Sequence, residues 1–263
     1  LACGKSLGID ACSLKRKRGR AVTRMIEIEQ HQGWAEIVMS RPERRNAMVP
    51  SMAAEIQAAI EGLSKVSEVA AIILRGAGGC LSSGIDLKAL QSNQDPGSDD
   101  GHWDQAALKS MHFALYGCSK PLICALEKFA INAGAALVFA CDLVVAGNES
   151  FLQVGEIQQG ADIPMNAAWL RLKSSEQTLS RLALLGDRVS AHELAQMGLI
   201  QKVVEDDSVV ACAREWAGRM ASFPEGATEI ITERIRGCRP ADVSLVFPES
   251  TNSALLSAGL LKA

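Results

Sequence analysis

Alternating and continuous apolar runs after Met25 predict strands. The segment MIEIEQHQGWAEIVMS at 25–40 alternates apolar and polar residues on both sides of Gly33, which is typical of a β-hairpin. The runs AAIILRG at 70–76 and PLICAL at 121–126 are short and continuously apolar, as buried strands are. These segments predict the strands of a sheet, two of them buried.

Helical signals separate the predicted strands. Pro50 opens a helical stretch that runs to Leu63, and Ser190 with Glu193 forms a capping box for a short helix that ends near Gly198. The segment after Asp207 is predicted to be helical throughout. Strands that alternate with helices imply right-handed crossovers, so the fold class is α/β.

Composition favours one enzyme-sized domain. The chain has 263 residues and is 48% hydrophobic, enough for a single large core. Aromatic residues make up only 4%, which argues against a nucleic-acid-binding surface. The longest apolar stretch, near 129–141, is too short to span a membrane. The polar segment LQSNQDPGSDDGHW at 90–103 predicts a mobile loop.

Positive charge is concentrated at the start of the chain, and the rest is acidic. Residues 1–24 hold seven of the 27 Lys and Arg side chains and lack clear periodicity. We therefore predict a basic extension at 1–24 outside the fold, a core at 25–205 and a helical region at 206–263. The run KRKRGR leaves a transit peptide or a nuclear address open, whereas no apolar signal region follows it.

The cysteines give no sign of a metal site or of disulfides. None of the eight forms a C-x-x-C pair or has a histidine at zinc-ligand spacing. We expect reduced cysteines that act as small apolar side chains, no metal, and a cytoplasmic location.

Candidate chemistry lies between Leu81 and Glu156. The segments LSSGIDL and NAGAALVFACDL predict two turns whose backbone N–H groups, at Ile85 and at Ala133 near Gly134, could hold the oxyanion of a thioester enolate. Glu156, in FLQVGEIQQG, is the candidate base that moves the proton.

Six segments in order identify the chain as similar to a known family. It resembles the crotonase family, also called the enoyl-CoA hydratase/isomerase superfamily, in RPERRNAM at 41–48, LSSGIDLKAL at 81–90, KPLICAL at 120–126, AGAALVFACDLVVAG at 133–147, VGEIQQG at 154–160 and LLGDRVSAHELAQMGLIQKVV at 184–204. The resemblance implies a spiral of repeated ββα units, a helical C-terminal region that forms homotrimers or a hexameric dimer of trimers, and an acyl-CoA thioester substrate without a separate cofactor.

Site residues carry over position by position. The resemblance implies that the Ile85 and Ala133 amides form the oxyanion hole, with Gly84 and Gly134 at the same turns in contact with substrate. Lys88 falls where the family often contacts the phosphates of coenzyme A, and Arg44 and Arg45 are further local cations, although a solvated surface role for Lys88 stays open. Asp142 and Asn46 are interpreted as structural.

Three departures from the family pattern bear on the reaction. Ala136 replaces the first of the two glutamates that hydratases use, which leaves Glu156 as a single base. The resemblance then favours double-bond isomerisation, with hydration of an enoyl-CoA also open. Asp162, in the run GADIP, is a candidate second carboxylate or a residue that bonds its own backbone. A glycine-rich run of the family is replaced here by residues 165–169, so we expect a remodelled acyl pocket that is narrowed by Met165, Asn166, Ala167, Ala168 and Trp169.

Other reactions remain alternatives at this point. Thioester hydrolysis or decarboxylation would use the same enolate if Asp162 faces the carbonyl. A non-catalytic acyl-CoA binding protein is the third hypothesis, because Ala136 can neither accept nor donate a proton.

Overall fold

The computed structural model describes residues 24–98 and 101–247, and it is an α/β fold. In chain order the strands are β1 (Ile26–His31), β2 (Trp34–Met39), β3 (Ile72–Gly76), β4 (Leu122–Leu126), β5 (Phe129–Ile131), β6 (Leu143–Gly147), β7 (Phe151–Gln153), β8 (Arg188–Ser190) and β9 (Lys202–Val204). The helices are α1 (Pro50–Leu63), α2 (Leu87–Gln91), α3 (Gln105–Gly117), α4 (Ala133–Ala140), α5 (Pro164–Lys173), α6 (Glu176–Leu185), α7 (Ala191–Gln196), α8 (Val209–Ala221) and α9 (Ala227–Arg236).

The larger sheet has six strands in the order β1-β2-β3-β4-β6-β9. The predicted hairpin is present: β1 pairs antiparallel with β2, and Gly33 takes a positive φ of 85° in the turn. The remaining neighbours are parallel, which requires the crossovers that the alternation of strands and helices predicted.

Both faces of the larger sheet are covered, which explains the continuous apolar runs. Ile72 and Leu74 of β3 join the main core, whereas Ile73 between them joins a second cluster on the opposite face. Helices α1 and α3 pack against each other over the main core, and α8 packs against β3, β4 and β6 over the second. A strand buried on both sides has no polar face, so AAIILRG and PLICAL show no alternation.

A smaller sheet, β5-β7-β8, positions the candidate site. Strand β5 pairs parallel with β7, and a single bridge joins Ser82 to Ala130 of β5. The loop after β3 and the end of β5 are therefore held side by side.

The predicted helices α1 and α7 are confirmed with their end signals. Pro50 is the first residue of α1, and the side chains and backbones of Ser190 and Glu193 form both hydrogen bonds of the capping box. The prediction of a continuous helix after Asp207 is wrong. Helix α8 ends at Ala221, and Pro224 and Gly226, with a φ of 77°, separate it from α9.

The polar segment after α2 is tied to the core at one point. Asp95 is 2% exposed, and its carboxylate accepts hydrogen bonds from the backbone N–H and the hydroxyl of Ser51. The sequence prediction of a mobile loop did not foresee this anchor, because Asp in a Gly- and Pro-rich run usually bonds within its own turn.

Several predictions concern residues that the structure does not describe. The basic extension lies almost entirely at 1–23, and the end of the helical region lies beyond 247. Within the described ranges, no helix is both long and apolar enough to cross a membrane. The six cysteines in those ranges are unpaired thiols, and five of them are buried, as expected for small apolar side chains.

A buried ion cluster fastens the hairpin to α8. Glu36 is fully buried, and its carboxylate accepts hydrogen bonds from Arg75 of β3 and Arg214 of α8. Burial alone would raise the pKa of Glu36, but the bonds from Arg214 and Arg75 outweigh it and lower the pKa. Glu29, His31 and Glu36 have ligand atoms within 4.8 Å of one another, yet the two arginines already bind these carboxylates.

Replacement of Arg75 by Met should lower the stability of the protein, because the buried carboxylate of Glu36 loses one of its arginine partners. The substitution leaves Glu36 with Arg214, so we expect unfolding free energy at pH 7 to fall by about 3 kcal/mol. Because the folded pKa of Glu36 is lowered, its stabilisation is present above pH 4.5 and lost as the pH falls through the folded value. The deficit should therefore shrink in acid. Urea unfolding at several pH values measures it, with Arg181→Met, in an exposed ion pair with Asp187, as the control.

Candidate active site

The first turn presents the N–H of Ile85. Met48 donates its N–H to the Gly84 carbonyl at 2.7 Å, and the Met48 carbonyl accepts from Asp86 at 2.9 Å. Ile85 lies between these bonds, and its own N–H finds no acceptor within residues 24–98 and 101–247. A backbone donor at a turn fixed on both sides is available to an external oxygen.

The second turn starts helix α4. Asn132 precedes the helix with a positive φ of 54°, which is uncommon for residues other than glycine and less so for Asn than for most. Its carbonyl accepts from Ala135 and Ala136, whereas the N–H of Ala133 has no acceptor in the described part of the chain. Ala133 itself keeps helical geometry, so its methyl group does not strain the turn, and the N-terminal helix dipole adds positive potential at this amide.

The two turns touch, and glycine makes this possible. Gly84 has a φ of 93°, and a Cβ there would lie 2.8 Å from the Ile131 carbonyl oxygen and 3.7 Å from the Ala133 nitrogen. A Cβ on Gly134 would lie 2.7 Å from the carbonyl oxygen of Ser82. Both glycines are buried, and the structure gives them a packing role that brings the amides of Ile85 and Ala133 to one place.

Glu156 lies at the start of a 3-10 helix, Glu156–Gln159, directly after β7. Its Oε1 accepts a hydrogen bond of 2.9 Å from the Asn166 side chain, and its Oε2 is buried without a hydrogen-bond partner among the described residues. Burial raises the pKa of Glu156 to about 7, and the nearby charge of Asp162 acts in the same direction. A carboxyl group with this pKa can both accept and donate a proton near neutral pH.

Two asparagines join Glu156 to the second turn. Gly155 donates its N–H to Asn132 Oδ1 at 2.9 Å, and Asn166 Nδ2 donates to the Asn132 carbonyl at 3.2 Å. Hydrogen bonds thus connect Glu156 to the peptide group between Asn132 and Ala133. The sequence analysis did not predict the hydrogen bonds that Asn132 and Asn166 make here. It gave Asn166 only a steric role, although a polar residue directly before the apolar run AAWL could have indicated a buried hydrogen bond.

The other candidate carboxylate mainly serves its own backbone. Asp162 Oδ1 accepts from the N–H of Ile163 at 2.7 Å, the alternative that the sequence had left open, while its charge still acts on Glu156. Ala136 is fully buried in α4 and brings no proton-transfer group to the site.

Trp169 does not narrow an acyl pocket, contrary to the sequence prediction. Its ring is fully buried, and its indole N–H donates to His112 Nδ1 at 3.0 Å. Burial lowers the pKa of His112 to about 3, so the imidazole is neutral and accepts this bond. Asn166 and Trp169 lie about one turn apart on α5, yet Asn166 contacts Glu156 whereas Trp169 contacts His112, a difference that spacing along the helix does not predict.

The predicted cations surround the first turn. Arg44 donates to Asp86 at 3.2 Å, and Asp86 in turn caps α2, the helix that carries the exposed Lys88. The carbonyl of Arg45, whose residue is also exposed, accepts from Ser83 at 3.0 Å. All three cations are therefore attached to the segment that presents Ile85. Asn46 and Asp142 are structural as predicted: Asn46 bonds the Ala77 and Cys80 carbonyls, and Asp142 bonds Arg236.

Comparison with known proteins assigns the family. Residues 29–239 match the family model described as enoyl-CoA hydratase/isomerase. The chain is 30% identical over 192 residues to a mitochondrial enoyl-CoA hydratase of Pongo abelii, covering 71% of this chain and 63% of that protein. It is 29% identical over 184 residues to a mitochondrial Delta(3,5)-Delta(2,4)-dienoyl-CoA isomerase of Rattus norvegicus, covering 66% and 56%. The chain thus spans less than two thirds of both relatives.

Coverage is higher for other proteins. A peroxisomal Delta(3,5)-Delta(2,4)-dienoyl-CoA isomerase of Arabidopsis thaliana is 28% identical over 235 residues, 84% of each chain. The crystal structure of an enoyl-CoA hydratase/isomerase from Pseudoalteromonas atlantica superimposes with a TM-score of 0.78 at 21% identity, covering 90% of this chain and 96% of that one. This likeness confirms the expected crotonase-like fold. The chain belongs to the enoyl-CoA hydratase/isomerase family.

Proposed function

We propose that the protein catalyses proton transfer next to the thioester carbonyl of an enoyl-CoA, with Glu156 as its single acid/base. The observation that carries the proposal is the pairing of a buried carboxyl group, whose pKa is about 7, with backbone amides on two touching turns that have no acceptor in the described residues. Isomerisation and hydration both proceed through this step.

The amides of Ile85 and Ala133 receive the thioester oxygen. As Glu156 removes a proton from the substrate, the electron pair moves toward the carbonyl and negative charge builds on that oxygen. Fixed donors in a water-poor site stabilise this charge without reorganising, which is the largest single contribution in many acyl-transfer and enolate reactions. Glu156 then returns the proton to carbon.

Lys88, Arg44 and Arg45 form the proposed contact surface for the coenzyme A phosphates. Their attachment to the Ile85 segment supports this role, since a thioester whose carbonyl lies at Ile85 would extend past them. Arg44 is partly neutralised by Asp86, which leaves Lys88 and Arg45 as the stronger candidates.

The alternative enolate reactions have less support. Thioester hydrolysis or decarboxylation would need Asp162 at the carbonyl, whereas Asp162 bonds its own turn. A purely binding role does not explain why a glutamate with a pKa near neutral pH is buried, because a buried carboxyl group lowers the stability of the fold when it ionises.

Exposed apolar side chains and buried thiols bear on the assembly and the location of the protein. A homotrimer or a dimer of trimers is supported by the apolar side chains of α9, where Ile230, Ile231 and Ile235 are 65%, 60% and 72% exposed. A cavity of about 660 Å³ lies between this helix and the C-terminal ends of α4 and α5. The buried thiols support a reducing compartment, such as the cytoplasm.

Parallel incubation with a trans-2-enoyl-CoA and a trans-3-enoyl-CoA tests the reaction. We expect either water addition to the first or a shift of the double bond in the second, resolved by chromatography and mass spectrometry. Glu156→Gln should lower turnover by about 100-fold to 10,000-fold while substrate still binds. Unchanged turnover in this variant would show that Glu156 is not the base. Binding without either reaction would favour the non-catalytic hypothesis.

The same substitution should change the pH dependence of stability. Because burial raises the pKa of Glu156 from 4.5 to about 7, the folded state binds this proton more tightly than the unfolded chain does. That stabilisation is complete below pH 4.5 and lost as the pH rises through about 7. Relative to Glu156→Gln, the wild type should lose about 3 kcal/mol between these limits.

Chemical unfolding from pH 4 to pH 8 measures this difference. Glu43→Gln is the control, because Glu43 is exposed. Parallel stability curves for the wild type and Glu156→Gln would contradict the burial of an ionisable group at this position.

Lys88→Ala should weaken substrate binding without affecting chemistry. An exposed charge contact contributes modestly, so we expect KM to rise by about threefold to tenfold with kcat little changed. The effect should diminish at high salt, since screening weakens exposed charge pairs. Lys202→Ala, on β9 at the far edge of the larger sheet, is the control. Equal KM values for Lys88→Ala and Lys202→Ala would show that Lys88 is a solvated surface residue that does not contact the substrate.

A further inference from the structure

The Asn166 side chain has a defined orientation. Its Nδ2 contacts the Asn132 carbonyl oxygen and Glu156 Oε1, and a backbone carbonyl can only accept hydrogen bonds. The NH₂ group must therefore point toward these two oxygens, and both of its hydrogens are used. The amide oxygen, Oδ1, takes no part in these two bonds.

Two buried acceptors consequently lie on neighbouring groups. Asn166 is 2% exposed, and its Oδ1 finds no donor in residues 24–98 and 101–247; the same is true of Glu156 Oε2. Since Glu156 Oε1 already receives the Asn166 amide, Oε2 is the oxygen available for proton transfer. Buried acceptors are costly unless a donor reaches them, and water, with two hydrogens, is the smallest molecule that can serve both.

We propose that Asn166 supplies the second acceptor that Ala136 lacks, so that Asn166 Oδ1 and Glu156 Oε2 together hold the water that adds to a trans-2-enoyl-CoA. This inference rests on the proposed function of Glu156 and selects hydration within it. An amide oxygen accepts as a carboxylate does but carries no charge, so it orients the water without raising the pKa of Glu156 as a second carboxylate would.

The reaction balances with these groups alone. A lone pair of the water oxygen forms the bond to C3, the C2–C3 π pair moves toward the carbonyl, and the oxyanion is held by the amides of Ile85 and Ala133. Glu156 Oε2 takes one hydrogen of the water as a proton, while the other stays on the new hydroxyl group, next to Asn166 Oδ1. Glu156 then protonates C2, which gives the 3-hydroxyacyl-CoA and restores the carboxylate.

Neighbouring polar groups are already engaged. Asp162 Oδ1 accepts from Ile163, and His112 Nδ1 accepts from Trp169. Ala136 contributes a methyl group from the buried face of α4. Asn166 is the residue whose side chain contacts Glu156 directly and retains an acceptor.

Two reactions of the same protein separate the water-holding role from the role of the base. Hydration of a trans-2-enoyl-CoA, followed by incorporation of ¹⁸O from labelled water, needs the base and a placed water. Exchange of the C2 hydrogen of a saturated acyl-CoA in D₂O needs Glu156 and the amides, but no water added to carbon. In Asn166→Leu we expect hydration to fall by about 100-fold or more and exchange by less than about tenfold.

Two further variants guard against misfolding and unspecific effects. Asn166→Asp keeps an acceptor oxygen in the same place and, when protonated, can still donate to the Asn132 carbonyl, so it should recover part of the hydration. Leu172→Met, a volume-conserving change at a partly buried position of the same helix, should leave both reactions unchanged. If Asn166→Leu does not fold, the comparison of Asn166→Asp with the wild type decides.

The outcomes are distinct. A loss of hydration and exchange in equal proportion would overturn the proposal, since Asn166 would then act only by orienting Glu156. Isomerisation of a trans-3-enoyl-CoA by the wild type without any hydration would also overturn it, while the proposed role of Glu156 would stand. Absence of exchange, hydration and isomerisation in the wild type would remove the proposed function itself.

Discussion

The close approach of two backbone turns is the constraint on which the candidate site depends. The carbonyls of Ser82 and Ile131 lie where side chains at 134 and 84 would otherwise extend, so the turns can meet only if both positions lack a Cβ. The bridge from Ser82 to β5 and the bond from Met48 to Gly84 hold the first turn against the second. The result is a pair of N–H groups whose position follows from the sheet and helix framework rather than from any flexible side chain.

Glu156 is coupled to the same framework through asparagine. Asn132 contributes its backbone to the start of α4 and its side chain to Gly155, and Asn166 bridges the Asn132 carbonyl to the carboxylate. Polar groups buried in this way are stable only when most of their bonds are made, so the network limits the positions that Glu156 can take. The positions of Glu156 and of the Ala133 amide are therefore fixed by the same network.

The sequence predicted much of this arrangement because its signals are local. The hairpin at Gly33, the helix opened by Pro50 and the capping box at Ser190 each depend on neighbouring residues, and all are present. The ordered motifs then located Ile85, Ala133 and Glu156. What the sequence could not predict depends on distance in space: the anchor of Asp95 on Ser51, the burial of Trp169 against His112, and the contact of Asn166 with Glu156. The break between α8 and α9, by contrast, could have been predicted from Pro224 and Gly226. It was missed because apolar residues at helical spacing on both sides of them are typical of one continuous helix.

Backbone donors have a consequence for how such a protein can change by mutation. The amides of Ile85 and Ala133 belong to the main chain, so substitutions at these two positions, short of proline, cannot remove them. The side chains at 136, 156, 162 and 166, by contrast, are altered by any substitution, and here they are Ala, Glu, Asp and Asn. In the proposed mechanism, enolate stabilisation therefore depends on the backbone of the fold, whereas the next step of the reaction depends on a few side chains. One scaffold can in this way acquire new reactions by single substitutions without first losing the step that they share.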